Sequence, residues 1–348
     1  MIADSGLPLA LDAMGGDFAP LRIVRGGLEY ARETGRKVLL VGRPEAIEAA
    51  LRHSKPAGAA YEIVPASEVI EFGDKIRIIR NKKDSSIHVG TRLVRAGKAA
   101  AFVSAGHTGA VMAISKVVYG LIDGVDRPAL PAPFPRVTGG YTVLLDAGAN
   151  VDCKVEHLRQ FAVMGDIYSR RVLGVQSPRV ALLSIGEEDS KGNEAGLEVA
   201  RILRETPVRF IGNAEGNHLF TSHADVVVCD GFVGNVALKV AEGLAEAIRH
   251  MLKAELTTTA WGWAAAVPMY FVQRPLKRKT DYAEVGGVPL LGLRHVSIVA
   301  HGRSSPKAIK NALRAGEAAA AGGIAGMIAE EIALLHAAEQ RLAERVTS

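Results

Sequence analysis

The sequence predicts an open α/β fold with a mostly parallel sheet. Apolar, β-branched runs without alternation recur along the chain, and such runs are typical of strands buried on both faces of a parallel sheet. Helical patterns separate these runs, as βαβ units require. The runs stop at clusters of glycine and polar residues, and in open α/β sheets ligands bind beyond the carboxyl ends of the strands. Glycine-rich backbone suits phosphate, so an enzyme site for an anionic substrate is expected there.

The elements are expected in the following order. A strand at 9–12 leads to a helix at 21–34, and a strand at 37–42 leads to a helix at 45–52. Later strands lie in the segments 100–109, 142–150, 179–194, 224–235 and 296–305. Further helices are expected at 87–97, 109–120, 153–173, 194–204, 235–256 and, with a break at Gly322 and Gly323, 306–345. No composition shift marks a boundary, so the prediction is a single domain over residues 1–348 with a protruding helical, apolar segment at about 236–280.

Composition favours a globular protein without nucleic-acid features. The chain has 348 residues, of which 48% are hydrophobic and 23% charged, and its net charge is +5. This mild excess suits an anionic substrate, an acidic partner or a membrane surface. Cys153 and Cys229 are expected to be reduced thiols. The sequence contains no apolar stretch of about 18 residues and its start lacks the pattern of a signal peptide, so a cytoplasmic protein is expected.

Residues 257–280 differ in composition from the rest of the chain. Both tryptophans lie here, and a basic cluster follows the apolar part. Aromatic residues beside basic ones are typical of an interfacial membrane anchor, whereas a helical hairpin packed on another subunit would have a similar composition. The residues expected at a membrane surface are Trp261, Trp263, Met269, Phe271, Arg274, Lys277, Arg278 and Lys279.

Several motifs together resemble a known family. They are LDAMGGD, SAGHTGAVMA, LDAGANVDCK, IGEEDSKGNEAG, CDGFVGNVALK, GGVPLLGL and VAHGRSS. In this order and spacing, over about residues 7–325, they resemble the phosphate acyltransferases of bacterial phospholipid synthesis. That resemblance implies transfer of a long fatty acyl chain from acyl carrier protein to inorganic phosphate, giving acyl phosphate, without a cofactor.

The resemblance also implies a fold and partners. The expected fold is a Rossmann-like α/β/α sandwich with a mostly parallel sheet, related to phosphate acetyltransferase and isocitrate-dehydrogenase-like folds. The expected assembly is a homodimer, peripherally associated with the inner face of the cell membrane, with the downstream membrane glycerol-phosphate acyltransferase as a further partner. The chain departs from the family pattern at His107, where Asn is usual, and at Val155, where Pro is usual.

Two residues are the candidates for catalysis. Lys191 follows a buried strand among glycines and is expected to hold phosphate or polarise the thioester carbonyl, although a solvated loop lysine would fit the same position. Asn235 is expected at a helix start, where its amide would bind an oxyanion or simply cap the helix. Phosphate is itself the nucleophile in this reaction, and the chain contains no G-x-S-x-G motif.

The remaining candidates bind phosphate or substrate. Asp12 and Asp17 are expected to orient a Lys or Arg, since carboxylates repel phosphate. Arg303 offers a fork for phosphate or for the phosphopantetheine arm, and His301 is either a proton carrier or structural. The full set is Asp12, Gly15, Gly16, Asp17, Ser104, Gly106, His107, Thr108, Gly109, Asn150, Gly192, Asn193, Gly234, His301, Arg303 and Ser304.

Other functions stay open at this point. A phosphate acetyl- or butyryltransferase using coenzyme A has the same kind of fold. An NAD- and metal-dependent decarboxylase is disfavoured because the first strand lacks G-x-G-x-x-G and no metal-binding Asp set is recognisable, so no metal is expected. A membrane-recruited scaffold would not need polar, glycine-rich strand ends.

Overall fold

The computed structural model describes residues 6–71, 73–74, 76–258 and 282–347. Its strands are β1 (Leu9–Asp12), β2 (Val38–Gly42), β3 (Tyr61–Pro65), β4 (Ala101–Ser104), β5 (Ala132–Pro135), β6 (Tyr141–Leu145), β7 (Val180–Leu183), β8 (Phe210–Ala214), β9 (Val226–Val228), β10 (Gly287–Pro289) and β11 (Val296–Ala300). Its helices are α1 (Leu21–Thr34), α2 (Pro44–Arg52), α3 (Ile76–Asn81), α4 (Ser86–Arg95), α5 (Thr108–Tyr119), α6 (Val155–Arg171), α7 (Glu194–Leu203), α8 (Gly231–Thr258), α9 (Tyr282–Val285), α10 (Pro306–Ala321) and α11 (Ile324–Thr347). A short 3₁₀ helix spans Gly216–Phe220.

The strands form two sheets rather than one. Within the described residues, the first sheet has six strands in the order β10-β11-β4-β1-β2-β3, and the second has five in the order β5-β6-β9-β7-β8. All neighbouring strands are parallel except the pairs β10–β11 and β5–β6, so each sheet has one antiparallel edge. The predicted α/β class with mostly parallel strands is therefore confirmed.

The largest hydrophobic core includes residues from both sheets. Leu11 of β1 and Leu145 of β6 belong to it, and so does Phe161 of α6, all of them fully buried. Among the helices of the first sheet, α1 packs closely on α10, while α4 packs on α5. These apolar side chains pack the two sheets together. The polar residues at the strand ends take no part in this packing and are available for a functional site.

Each predicted helix is present to within a few residues, whereas the short helices α3 and α9 were not predicted. α1 spans the predicted range and α10 and α11 are separated at Gly322 and Gly323 as expected. α8, however, begins at Gly231, four residues before Asn235, and Asp230 Oδ1 accepts a hydrogen bond from Val233 N at 2.9 Å at its start. The prediction that Asn235 starts this helix is wrong, because Asp230 takes the capping role.

The residues predicted to lie at a membrane surface are not among the described residues. The eight residues assigned to it, from Trp261 to Lys279, lie in the range 259–281, which is not among the described residues. Among the helices that are described, none by itself has the length and apolar composition to cross a membrane, although α10 and α11, bent by 53° at their junction, pass that test as a pair.

Candidate active site

The carboxyl ends of three neighbouring strands, β1, β4 and β11, come together in the first sheet. Ser104 Oγ donates a hydrogen bond to Asp12 Oδ2 at 2.6 Å, and Gly106 N donates to Ser104 Oγ at 3.0 Å. The backbone N–H of Asp17 donates to the carbonyl of Gly302 at 2.8 Å. These bonds join three loops that are far apart in sequence, and we call their residues the first strand-end cluster.

Asp12 is the centre of this cluster. It is 1% exposed, and its carboxylate also accepts hydrogen bonds from the backbone N–H of Met14, at 3.1 Å, and from Ser86 at the start of α4. Burial raises the pKa of Asp12, although the hydrogen bonds from Ser104 and Ser86 act in the opposite direction. These partners are hydroxyl and backbone groups rather than the Lys or Arg expected from the sequence. Asp12 therefore positions the loops instead of orienting a cation.

Gly15 permits the close approach of two loops. A Cβ atom on Gly15 would overlap Asp12 Oδ2 and would lie 2.7 Å from the backbone nitrogen of Gly106. Gly16 has a φ of +111°, which other residues rarely adopt, and it lies against the carbonyl of Gly302. Gly15 and Gly16 are thus needed for the shape of the cluster. The backbone at Gly16 is partly exposed at the rim of the cluster, next to the exposed Asp17.

His107 caps a helix. Its Nδ1 accepts a hydrogen bond from Ala110 N at 3.1 Å, which satisfies one of the free N–H groups at the start of α5. An Asn side chain would accept the same bond through its oxygen, so the departure from the family pattern keeps the cap. Thr108 is the first residue of α5, and a Cβ on Gly109 would lie 3.0 Å from the His107 ring.

The loop after β11 forms the open side of the cluster. His301 and Arg303 are exposed, and Arg303 N donates to His301 Nδ1 at 3.1 Å. Ser304, by contrast, is 1% exposed, and its Oγ has no hydrogen-bond partner among the described residues. Ser305 caps α10 by accepting from Ala308 N. The exposed Arg303 and His301 are the groups of this loop that an anion can reach from solvent.

A second strand-end cluster lies where β6 and β9 of the other sheet end. Asp146 is fully buried, and burial raises its pKa. Its Oδ1 accepts from Leu130 N at 3.0 Å and Ala149 N at 3.1 Å, and its Oδ2 accepts from Asn150 N at 2.6 Å and Asn150 Nδ2 at 2.9 Å. The carboxylate therefore holds the turn that follows β6.

The predicted residues of this second cluster differ in their exposure. Asn150 is 8% exposed and its amide also donates to Pro128 O at 2.7 Å, so its described contacts are structural. A Cβ on Gly234 would overlap the carbonyl oxygen of Asp146, which makes this glycine the contact between α8 and the turn. Asn235 is exposed in the second turn of α8, beside Gly148, whose φ is +127°. Its amide is thus available at the surface of the cluster.

Lys191 lies in the loop after β7, two strands from β6 in the same sheet. The residue is exposed, and the stem of its side chain lies over Gly186. Asn213 Nδ2 donates to the carbonyls of Glu188, at 2.8 Å, and Lys191, at 3.2 Å, which fixes the backbone of the loop. Gly192 has a φ of +117°, and Asn193 caps α7 by accepting from Gly196 N at 2.8 Å. The ammonium group is thus presented to solvent by an anchored loop.

Two residues of these clusters were missed from the sequence. Asp146 stands in the same local pattern as Asp12, Leu-Asp-Ala at the end of a buried strand, and that repetition was a usable signal. Ser86 had no such signal, because its contact with Asp12 depends on how α4 packs on β1.

Neither cysteine is suited to act as a nucleophile. Burial raises the pKa of Cys153 to about 11 and that of Cys229 well above its usual value. Both thiols are therefore protonated near neutral pH.

The fold is similar to that of a solved phosphotransacetylase. A phosphotransacetylase from Streptococcus pyogenes superposes with a TM-score of 0.63 at 17% sequence identity, covering 92% of this chain and 95% of that chain. At this identity the likeness defines the fold alone.

Sequence comparison then gives the family. Residues 7–327 match a protein family whose description is "Fatty acid synthesis protein". The chain belongs to that family. The chain is 52% identical over 308 residues to a phosphate acyltransferase from Heliobacterium modesticaldum, covering 88% of this chain and 92% of that protein. It is 48% identical over 325 residues to a phosphate acyltransferase from Geobacter sp. strain M21, covering 93% and 92%. The resemblance seen in the motifs is thereby confirmed.

Proposed function

We propose that this phosphate acyltransferase family member transfers a long-chain acyl group from acyl carrier protein to inorganic phosphate. An oxygen of hydrogen phosphate attacks the thioester carbonyl carbon, so a C–O bond forms and the C–S bond breaks. The phosphate proton goes to the leaving sulfur, and the products are acyl phosphate and free carrier thiol. No external oxidant, reductant or metal is needed for this balance.

The observation that carries the proposal is the first strand-end cluster. Its buried Asp12 and its glycines bring three loops together, and the loop after β11 places the exposed Arg303 and His301 at their rim. Arg recognises phosphate through paired N–H groups, and glycine-rich backbone lets an anion approach main-chain N–H groups. We assign phosphate binding to this rim.

The second strand-end cluster is assigned to the thioester. Asn235 and Lys191 are exposed on neighbouring parts of the second sheet, and each offers a hydrogen-bond donor. Donors placed where negative charge develops on the carbonyl oxygen lower the barrier to acyl transfer. The protonated cysteines support direct attack by phosphate rather than an acyl-enzyme.

The test is release of free thiol from palmitoyl carrier protein by the full-length chain. Thiol release should require phosphate and should need neither NAD nor an added divalent metal. Because the fold is shared with phosphotransacetylases, acetyl-coenzyme A is the matched alternative donor. Faster turnover of acetyl-coenzyme A would replace the carrier-dependent proposal, and an absence of phosphate-dependent thiol release from either donor would contradict both.

A homodimer through α8 is part of the proposal. Exposed apolar side chains recur on this helix at helical spacing and share one face; they are Val240, Leu244, Ile248 and Met251. The helical spacing of Ala237, Val240, Leu244, Ala247, Ile248 and Met251 predicts an apolar stripe for a subunit contact or for the chain's own sheet; its four large side chains are exposed, whereas Ala237 packs partly buried against a core cluster. A second copy of α8 would cover the exposed side chains. Sedimentation should give a dimer at micromolar concentration, and a Leu244→Glu variant should be a monomer; a monomeric wild type would refute this assembly.

Peripheral membrane binding is proposed for residues 261–279. Each basic residue near an anionic surface contributes about 1 kcal/mol, and the four in this segment would act together with the two tryptophans. Replacing Trp261 and Trp263 by Glu should abolish flotation with anionic liposomes and leave thiol release in solution largely intact. If that variant still floats, or loses the dimer instead, the segment is a subunit contact.

A further inference from the structure

A group of three metal-ligating side chains lies at the loop after β7 and includes none of the residues assigned above to phosphate or to the thioester. Glu187 is in the loop after β7, His218 is in the 3₁₀ helix after β8, and His223 follows that helix. One ligand atom from each residue lies within 4.8 Å of the other two. His218 Nε2 is 3.1 Å from Glu187 Oε1, and the two imidazole rings stack with centroids 4.3 Å apart.

One nitrogen of this group lacks a partner. His223 Nε2 is buried and makes no hydrogen bond within the described part of the chain. Buried polar atoms are normally satisfied, so an orphaned ring nitrogen beside another imidazole and a carboxylate requires an explanation. A metal ion is the ligand that all three groups share, because imidazole nitrogen and carboxylate oxygen both coordinate divalent transition metals.

We infer that Glu187, His218 and His223 form a binding site for a divalent transition-metal ion such as Zn²⁺. Three protein ligands would leave a fourth position for water. Bonds of about 2.1 Å in a tetrahedron place ligand atoms roughly 3.4 Å apart, a distance that the His218–Glu187 pair already approaches. The Glu187 side chain is 59% exposed, so it has room to rotate toward His223. Because an imidazole binds a metal in the plane of its ring, the two rings, now stacked at an interplanar angle of 20°, cannot reach one ion together until one of them turns out of the stack.

The state of the His218 ring limits the affinity. Its Nδ1 accepts a hydrogen bond from Glu215 N at 3.2 Å, so the neutral ring carries its proton on Nε2, facing Glu187. Coordination through Nε2 moves that proton to Nδ1 and ends the bond from Glu215. Binding therefore gives up the hydrogen bond from Glu215 N and the 3.1 Å contact of the Nε2 proton with Glu187 Oε1 in exchange for one metal bond at this residue, so we expect a modest affinity.

The consequence of occupancy is a restraint on the loop after β7. Glu187 is in the loop that presents Lys191, whereas both histidines belong to the connection between β8 and β9. Asn213 already ties the backbone of this loop to β8. A metal ion would add a second, side-chain tie. This inference stands independently of the acyl transfer proposed above.

Cobalt is the probe for the test, since tetrahedral Co²⁺ has visible absorption bands that report nitrogen and oxygen ligands. Untagged full-length protein, stripped with chelator and dialysed, should bind about one Co²⁺ per chain, and Zn²⁺ should displace it. His218→Gln and His223→Gln should each weaken binding at least about tenfold. His53→Gln is the matched control, because that exposed histidine directly follows α2, with its ring beside the carbonyl of Ala49 and away from the group.

Glu187→Gln is a further variant that should fold normally, because the side chain is exposed, and it should also weaken Co²⁺ binding. Hydrogen exchange of residues 184–193 should slow when Zn²⁺ is added to wild type and stay unchanged in His223→Gln. Absence of Co²⁺ bands in the wild type, or equal binding in the His218, His223 and His53 variants, overturns the inference.

Discussion

Asp12 and Asp146 occupy equivalent places in the two sheets and do different work. Each follows Leu and precedes Ala at the end of an interior strand, each is buried, and burial raises the pKa of each. Asp146 accepts hydrogen bonds only from nitrogen donors, three of them in backbone. Asp12 accepts from the hydroxyls of Ser104 and Ser86, which belong to other elements, as well as from backbone.

The same local motif, Leu-Asp-Ala, therefore has two different structural roles. At Asp146 the carboxylate replaces missing backbone bonds and fixes a turn, so that Gly234 and Asn235 of α8 take a defined place. At Asp12 the carboxylate connects separate loops, and the opening between them is lined by glycine. We therefore expect the second cluster to depend on its backbone geometry and the first to tolerate small changes at its carboxylate.

The largest effect is expected at Gly234. Gly234→Ala places a Cβ against the Asp146 carbonyl oxygen, where backbone cannot yield cheaply, and should lower the free energy of unfolding by about 3 kcal/mol or more. Gly243→Ala is the matched control in the same helix, because a Cβ there meets nothing within 4 Å. Helix propensity should make that variant up to about 1 kcal/mol more stable.

Urea denaturation followed by circular dichroism measures both variants. Equal stabilities for the Gly234 and Gly243 variants would mean that α8 can shift away from the turn, and the geometric dependence of the second cluster would be abandoned.

The two carboxylates can be compared directly by removing one oxygen acceptor from each. In Asp146→Asn the new NH₂ group faces two N–H donors in either orientation, so at least two buried donors lose a partner and about 3 kcal/mol of stability is lost. In Asp12→Asn the amide can donate to the Ser104 hydroxyl, which rotates, and a loss of about 1–2 kcal/mol is expected. A larger loss at Asp12 than at Asp146 would reverse the comparison.

The sequence predicted every interior strand of both sheets and none of the edges. The edge strands β3, β5, β8 and β10 are only partly buried, so they lack the continuous apolar run that identified β1 or β9. The division into two sheets was also missed, since the same strand pattern fits one sheet or two. Pairing between strands is a tertiary property that single-strand patterns do not contain.

For the candidate sites, the sequence predicted where they lie but not which residues have exposed functional groups. Motifs located the strand ends correctly, because glycine and polar residues must follow buried strands there. The motifs could not separate Asn150, whose amide is used within its own turn, from Asn235, whose amide is exposed. Glu187, His218 and His223 were missed as a group, because their spacing along the chain matches no metal motif and only the fold brings them together.

Kinetic measurements should show different functions for the two clusters. Asn235→Ala and Lys191→Ala should each lower kcat/KM by roughly 100-fold, the scale for losing one oxyanion donor, without changing stability, since both residues are exposed. Arg303→Ala should act mainly by raising the KM for phosphate. Lys239→Ala, on the turn after Asn235, is the control because Lys239 pairs with Glu242 at the surface. Thiol release at varied phosphate concentration measures all four, and normal turnover in either of the first two returns that residue to a structural role.

A smaller effect is expected in the pH dependence of stability. The pKa of Asp12 is raised by burial, so between the ordinary Asp value of 3.8 and the raised value the folded state binds more protons than the unfolded state. Stability contributed by Asp12 is therefore greatest at low pH and falls as pH rises through this window. Asn does not titrate, so the stability of wild type relative to Asp12→Asn should decrease from pH 4 toward neutral pH. A difference that grows with pH would mean that hydrogen bonds outweigh burial at this carboxylate.

The smallest effect is expected from the thiols, which are found at the second cluster. Cys229 Sγ donates to Asp146 O at 3.5 Å and Cys153 Sγ to Asn150 O at 3.6 Å, so both support the turn through weak bonds. Their raised pKa values keep them protonated, and replacing both by Ala should leave most of the phosphate-dependent thiol release. Mass spectrometry of wild type incubated with acyl carrier substrate, without phosphate, provides the decisive measurement. An acyl adduct on the chain that disappears in the double variant would give the second cluster a covalent role and remove direct attack by phosphate.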